Sequence, residues 1–108
     1  MPTSYKILGQ INPNANTLTN VYSTGSASAI VGTITIRNFS DANASYSLIV
    51  RPTGTTLNTQ HYIVRGGVVP FREQVTITGA VTMNANTILV ANTSSGSITF
   101  NAFGVEIT

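Results

Sequence analysis

The run Ile30-Val31-Gly32-Thr33-Ile34-Thr35-Ile36-Arg37-Asn38 limits what this chain can fold into more than any other stretch. Ile34 and Ile36 alternate with Thr33, Thr35 and Arg37, and a period of two places apolar groups on one face of a sheet and polar groups on the other. Every residue from Ile30 to Ile36 except Gly32 is β-branched, which suits a pleated strand and disfavours a helix. The pattern predicts a central strand with Ile30, Ile34 and Ile36 inward and a threonine-lined opposite face.

Similar patterns recur between turn signals rich in Asn, Gly and Pro. Strands are expected over 5–10, 18–24, 45–51, 61–65 and 74–78. Tyr46, Leu48 and Val50 share a face of the 45–51 strand. The 39–43 connection has hairpin length, so that strand is expected to pair antiparallel with the opening one. Gly66-Gly67 should end the 61–65 strand, 68–73 should be an extended connection, and 79–85 a looser segment with Val81 and Met83 tucked beneath the sheet. The apolar run 87–91 predicts a strand covered on both faces. In the last strand, 97–107, the apolar positions Ile98 and Phe100 give way to Phe103, Val105 and Ile107, a slip of one residue. A β-bulge at Ala102-Phe103, eased by Gly104, would restore the phase.

With 108 residues the chain is expected to be one domain, 1–108, able to bury about two-thirds of its unfolded surface. It holds 17 Thr, 10 Ser and 11 Asn and only 7% charged residues, a mixture that favours hydroxyl-faced sheets and Asn turns over helices. The expected fold is all-β: an antiparallel β-sandwich of about eight strands, a jelly roll or a related Greek key.

Few residues carry chemistry. The three acids Asp41, Glu73 and Glu106 are far apart in sequence, and the lone His61 has no nucleophile motif near it, so no enzyme is expected. With no Cys and one His, neither a metal nor a cofactor is expected. The net charge of +2 comes with one Lys and four scattered Arg, which does not make a nucleic-acid footprint. No apolar segment reaches the roughly 20 residues of a membrane helix, and the N-terminus does not read as a secretory signal. The expectation is a soluble protein made in the cytoplasm. Low charge favours association with other chains. Arg37, Arg51, Arg65 and Arg72 lie at or beyond strand ends, and with His61 and Tyr62 they are the candidate interface residues. Most aromatic residues stand at core-facing phases, so a sugar-binding platform ranks below core packing.

Five pieces in order, Lys6-Ile7-Leu8-Gly9-Gln10, the "SASAIVGTITIRN" stretch from Ser26 to Asn38, Arg51-Pro52-Thr53-Gly54, His61-Tyr62-Ile63 and the ending "FNAFGVEIT" from Phe100 to Thr108, resemble small virion structural proteins of tailed bacteriophages, especially those of cyanophages and other marine phages. The resemblance spans most of the chain and contains no catalytic motif. It implies a virion component, in the first instance a capsid cement or decoration protein that works as a trimer or other homo-oligomer. Its partners would be the major capsid protein or other virion proteins. A neck, tail or fibre component, or a receptor- or glycan-binding module on the particle, is the alternative.

Overall fold

The computed structural model describes residues 3–107. Among them the chain forms β1 (Thr3–Ile11), β2 (Thr19–Ser23), β3 (Ser28–Asn38), β4 (Ala44–Pro52), β5 (Tyr62–Val69), β6 (Gln74–Met83), β7 (Thr87–Thr93) and β8 (Ile98–Ile107), with a 3₁₀ turn at Thr59–His61. Two four-stranded antiparallel sheets pack face to face as a β-sandwich. Sheet A has the order β1-β8-β3-β6 and sheet B the order β2-β7-β4-β5. The ladders β1–β8, β2–β7, β3–β6 and β4–β5 are those of one long antiparallel ribbon doubled back between β4 and β5. Two further ladders, β3–β8 and β4–β7, wind that ribbon into two layers.

The core lies between the sheets. Sheet A contributes Val31, Ile34, Ile36, Met83, Ile98 and Phe100, and sheet B contributes Tyr46, Leu48 and Leu89. The Tyr46 and Phe100 rings meet edge to face, with centroids 6.4 Å apart and planes at 65°. On the outer side of sheet B, Ile49 and Val90 stand opposite each other and are both buried, so β7 is covered on both faces as its apolar run predicts. The 3₁₀ turn lies against β4 on the way to β5.

β3 and β4 do not pair, contrary to expectation: they lie in different sheets, and the short 39–43 connection arches between layers. The reason is Asn38, fully buried at the end of β3. Its Nδ2 donates to the carbonyls of Ala42, at 2.8 Å, and Val69, at 3.1 Å. Its Oδ1 accepts from the Ser40 backbone N–H and hydroxyl at 2.9 and 2.7 Å. One side chain therefore supplies the partners that a hairpin ladder would have supplied, and it ties the arch to the end of β5. Asn38→Ala is expected to destabilise the fold by about 1–3 kcal/mol, the cost of leaving a buried group unsatisfied, since the Val69 carbonyl loses its amide donor while that of Ala42 keeps the Ser40 hydroxyl. A urea titration reads this directly; a loss under about 0.5 kcal/mol would mean that water replaces the amide.

Other boundaries move as well. His61 sits in the 3₁₀ turn, and β5 begins at Tyr62. Gly66-Gly67 do not end that strand: Gly66, at φ 71°, is the extra residue of a bulge between Tyr46/Ser47 and their partners. Gly67 makes room for the Tyr46 ring, which a Cβ there would approach to 2.7 Å. Val68 and Val69 continue β5, and β6 runs through the stretch expected to be loose, as far as the buried Met83.

The largest revision concerns phase in sheet A. β8 runs without a bulge, alternating Ile98, Phe100 and Ala102 inward. The extra residues are in its neighbours instead: Leu8 in β1, between the pairs Ile7–Phe103 and Gly9–Ala102, and Gly32 in β3, between Val31–Gly104 and Thr33–Phe103. β3 and β6 are irregular at the same level, between Val31–Val81 and Thr33–Thr78. Because the extra residue is Gly32, the inward set of β3 becomes Ala29, Val31, Ile34 and Ile36, and Ile30 turns outward. Gly104 allows the β3 backbone to approach here, since a Cβ would stand 2.1 Å from the Ile30 carbonyl oxygen.

Candidate functional site

Keeping β8 in register has a consequence on the outer face of sheet A. Ile7 of β1 stands opposite Phe103, and Ile30 of β3 stands opposite Val105, so four apolar side chains from three strands lie side by side. Ile7 is 55% exposed, Ile30 38% and Phe103 37%. The result is a cluster of partly exposed apolar side chains on a sheet face that is otherwise polar. Its signal in the sequence was the slip at Ala102, which either a bulge in β8 or outward-facing residues can satisfy.

The inner side of the same end is polar. Glu106 of β8 accepts a hydrogen bond from the Lys6 ammonium of β1 at 2.7 Å and another from the Tyr22 hydroxyl of β2. This clasp joins sheet A to sheet B where the sandwich opens. The Lys6 hydrogen bond first, and then that of Tyr22, hold the Glu106 carboxyl below the usual carboxylate range. Burial first, and then Glu106, push the Tyr22 hydroxyl above its ordinary value, so it remains a donor. A carboxylate whose folded value lies below its unfolded value stabilises the fold above the unfolded value, near 4.3, and loses that contribution as pH falls through the folded value. The melting temperature is therefore expected to fall between neutral pH and about pH 3 more for the native chain than for Glu106→Gln. Equal falls would show that the clasp adds nothing to stability.

Beyond the bulges, the outer face of sheet A is polar. Gln10, Asn101, Thr35 and Thr76 form one row across all four strands, and Thr99, Arg37 and Gln74 form the next. Gln10, Asn12, Phe39, Thr99 and Asn101 line an open groove of about 360 Å³ floored by Ile11 and Phe100. Gln10 Nε2 donates to Asn101 Oδ1 at 2.8 Å, and Asn12 Nδ2 donates to the carbonyls of Gly96 and Ile98. Phe39, 58% exposed, carries the Arg37 guanidinium over its ring at 5.2 Å.

The six expected interface residues fall in three places. Arg65 stacks over Tyr62 at 5.1 Å, and His61 precedes Tyr62 with its Nδ1 accepting from the Asn58 N–H at 3.0 Å. Arg51, on β4, donates to the Thr55 carbonyl at 2.8 Å, so these four belong to the β4–β5 side of sheet B. Arg37 lies on the outer face of sheet A. Arg72, in the β5–β6 turn, pairs with Asp41 at 2.6 Å, both well exposed. Phe39, Phe71 and Phe103 are exposed, contrary to the expectation that the aromatic residues are mostly inward. Among the described residues no three of His, Asp and Glu come together in a metal-binding group. No protein-family model matches the chain, and no curated protein matches it.

Proposed function

We propose that the protein is a non-enzymatic structural subunit of a virus particle, of the cement or decoration kind, that associates with further copies of itself through the apolar end of sheet A. The observation that carries this reading is the exposed set Ile7, Ile30 and Phe103 on rigid strands. The resemblance of the chain to tailed-phage virion proteins supports the setting. A second copy is the occupant because the groups bordering the patch on β3 are uncharged: Thr33, opposite Phe103, and Thr35 each donate and accept, so they can meet their own copies. A partner of different chemistry would call for charge complementarity that this border lacks. The oligomer would then sit on the shell beside the major capsid protein. Binding only the assembled lattice, it would stabilise that lattice by mass action.

Phe103→Asp tests the contact. Removing an apolar anchor and placing a charge in the buried centre is expected to turn an oligomer into a monomer in sedimentation, with the melting curve of the monomer retained. A native chain that sediments as a monomer at all concentrations would overturn self-association. Stripping the protein from particles is expected to lower the temperature of genome release; unchanged particle stability, with the protein found at the neck or tail, would overturn the shell assignment.

A further inference from the structure

We infer that the groove at the other end of the same face binds the end of an acidic saccharide. Gln10, Asn12, Thr99 and Asn101 line it, and among the described residues Asn101 Nδ2, Gln10 Oε1, Asn12 Oδ1 and the Thr99 hydroxyl make no hydrogen bond. Paired amide and hydroxyl groups held on strands suit the adjacent hydroxyls of a sugar ring, each of which donates and accepts. Phe39, more than half exposed, offers the ring face that Arg37 leaves free as the flat apolar surface against which the C–H face of such a ring packs. The volume, about 360 Å³, lies at the small end of the range for ligand sites, which fits one or two sugar residues and not a larger cofactor.

The acidic preference comes from Arg37. Its guanidinium is fixed over Phe39, and it stands opposite Thr99 in the β3–β8 ladder. The ion pairs among the described residues are Lys6–Glu106 and Arg72–Asp41, so Arg37 has no carboxylate partner there. A guanidinium at the rim of the groove, over one face of Phe39 and opposite the lining residue Thr99, is placed to take the carboxylate of a sugar held against the ring as a charge-assisted pair. This reading is independent of the assembly proposal, because the groove and the apolar end lie on opposite sides of the bulges in β1 and β3.

The test is a titration of the full ¹⁵N-labelled chain with galacturonic acid oligomers and, in parallel, with uncharged galactose oligomers, read by NMR. Saturable shifts are expected for the side-chain amides of Gln10, Asn12 and Asn101 and the backbone of Phe39, with the acidic oligomer binding more tightly. Arg37→Gln is expected to weaken that binding about tenfold, as one lost hydrogen bond to a charged group would. Phe39→Ala, at an exposed position that should not disturb folding, is expected to weaken both ligands. The absence of saturable shifts, shifts mapping elsewhere, equal binding of the two oligomers, or indifference to Arg37→Gln would each overturn the inference. Titrating Phe103→Asp alongside reads saccharide binding and assembly separately, so failure of one is distinguishable from failure of the other.

Discussion

Thr35→Pro is expected to prevent folding. β3 is an interior strand, with Thr35 opposite Thr76 on β6 and Asn101 on β8, so whichever neighbour its N–H faces, proline removes a ladder donor. The ring also pulls φ toward about −65°, away from the more extended value that a strand needs. Loss of that register breaks both ladders holding Ile34 and Ile36 over the core. Far-UV circular dichroism of the purified variant decides the matter: a native β spectrum with cooperative melting would show that the sheet accommodates the proline.

Phe100→Ala is expected to cost about 3–5 kcal/mol. Phe100 is fully buried on the inner face of β8, and its ring meets Tyr46 of the other sheet, so truncation leaves a cavity in the middle of the core as well as losing transfer energy. A domain of this size has roughly 5–15 kcal/mol in total, so the variant should unfold at a much lower urea concentration with a similar slope. A loss below about 1 kcal/mol would mean that the two sheets close over the gap. Phe100→Leu should recover part of the loss, which separates cavity formation from any special role of the ring.

How far the sequence could be read depended on what each pattern encodes. β3, β4 and β7 were legible because alternation or a continuous apolar run is a local property, fixed by the side chains themselves. Their assignment to sheets was not, because a pattern says which face of a strand is apolar and nothing about which strand lies beside it. The arch at 39–43 looked like a hairpin since its distinguishing group, the buried Asn38, reads in sequence as one more turn-forming asparagine. Similarly, Gly66 reads as a strand terminator, whereas its positive φ serves a bulge inside β5. At the candidate site, Arg37 was identified, but its stacking on Phe39 and its place beside a groove depend on β3 and β8 being neighbours. The apolar face was missed for a different reason. Either solution to the slip at Ala102 was open locally, and the choice was made by the β3 backbone, which bulges at Gly32 into the space that Gly104 leaves.

The uninterrupted course of β8 makes the social behaviour of this fold depend on a single residue of spacing. Deleting Ala102 would carry Phe103, Val105 and Ile107 over to the inner face and send Glu106 outward. The same composition would then describe a self-contained domain with a charged exterior in place of one that seeks neighbours. Under the assembly reading, insertions and deletions in this strand would be the economical route between the two behaviours, and substitutions the slower one.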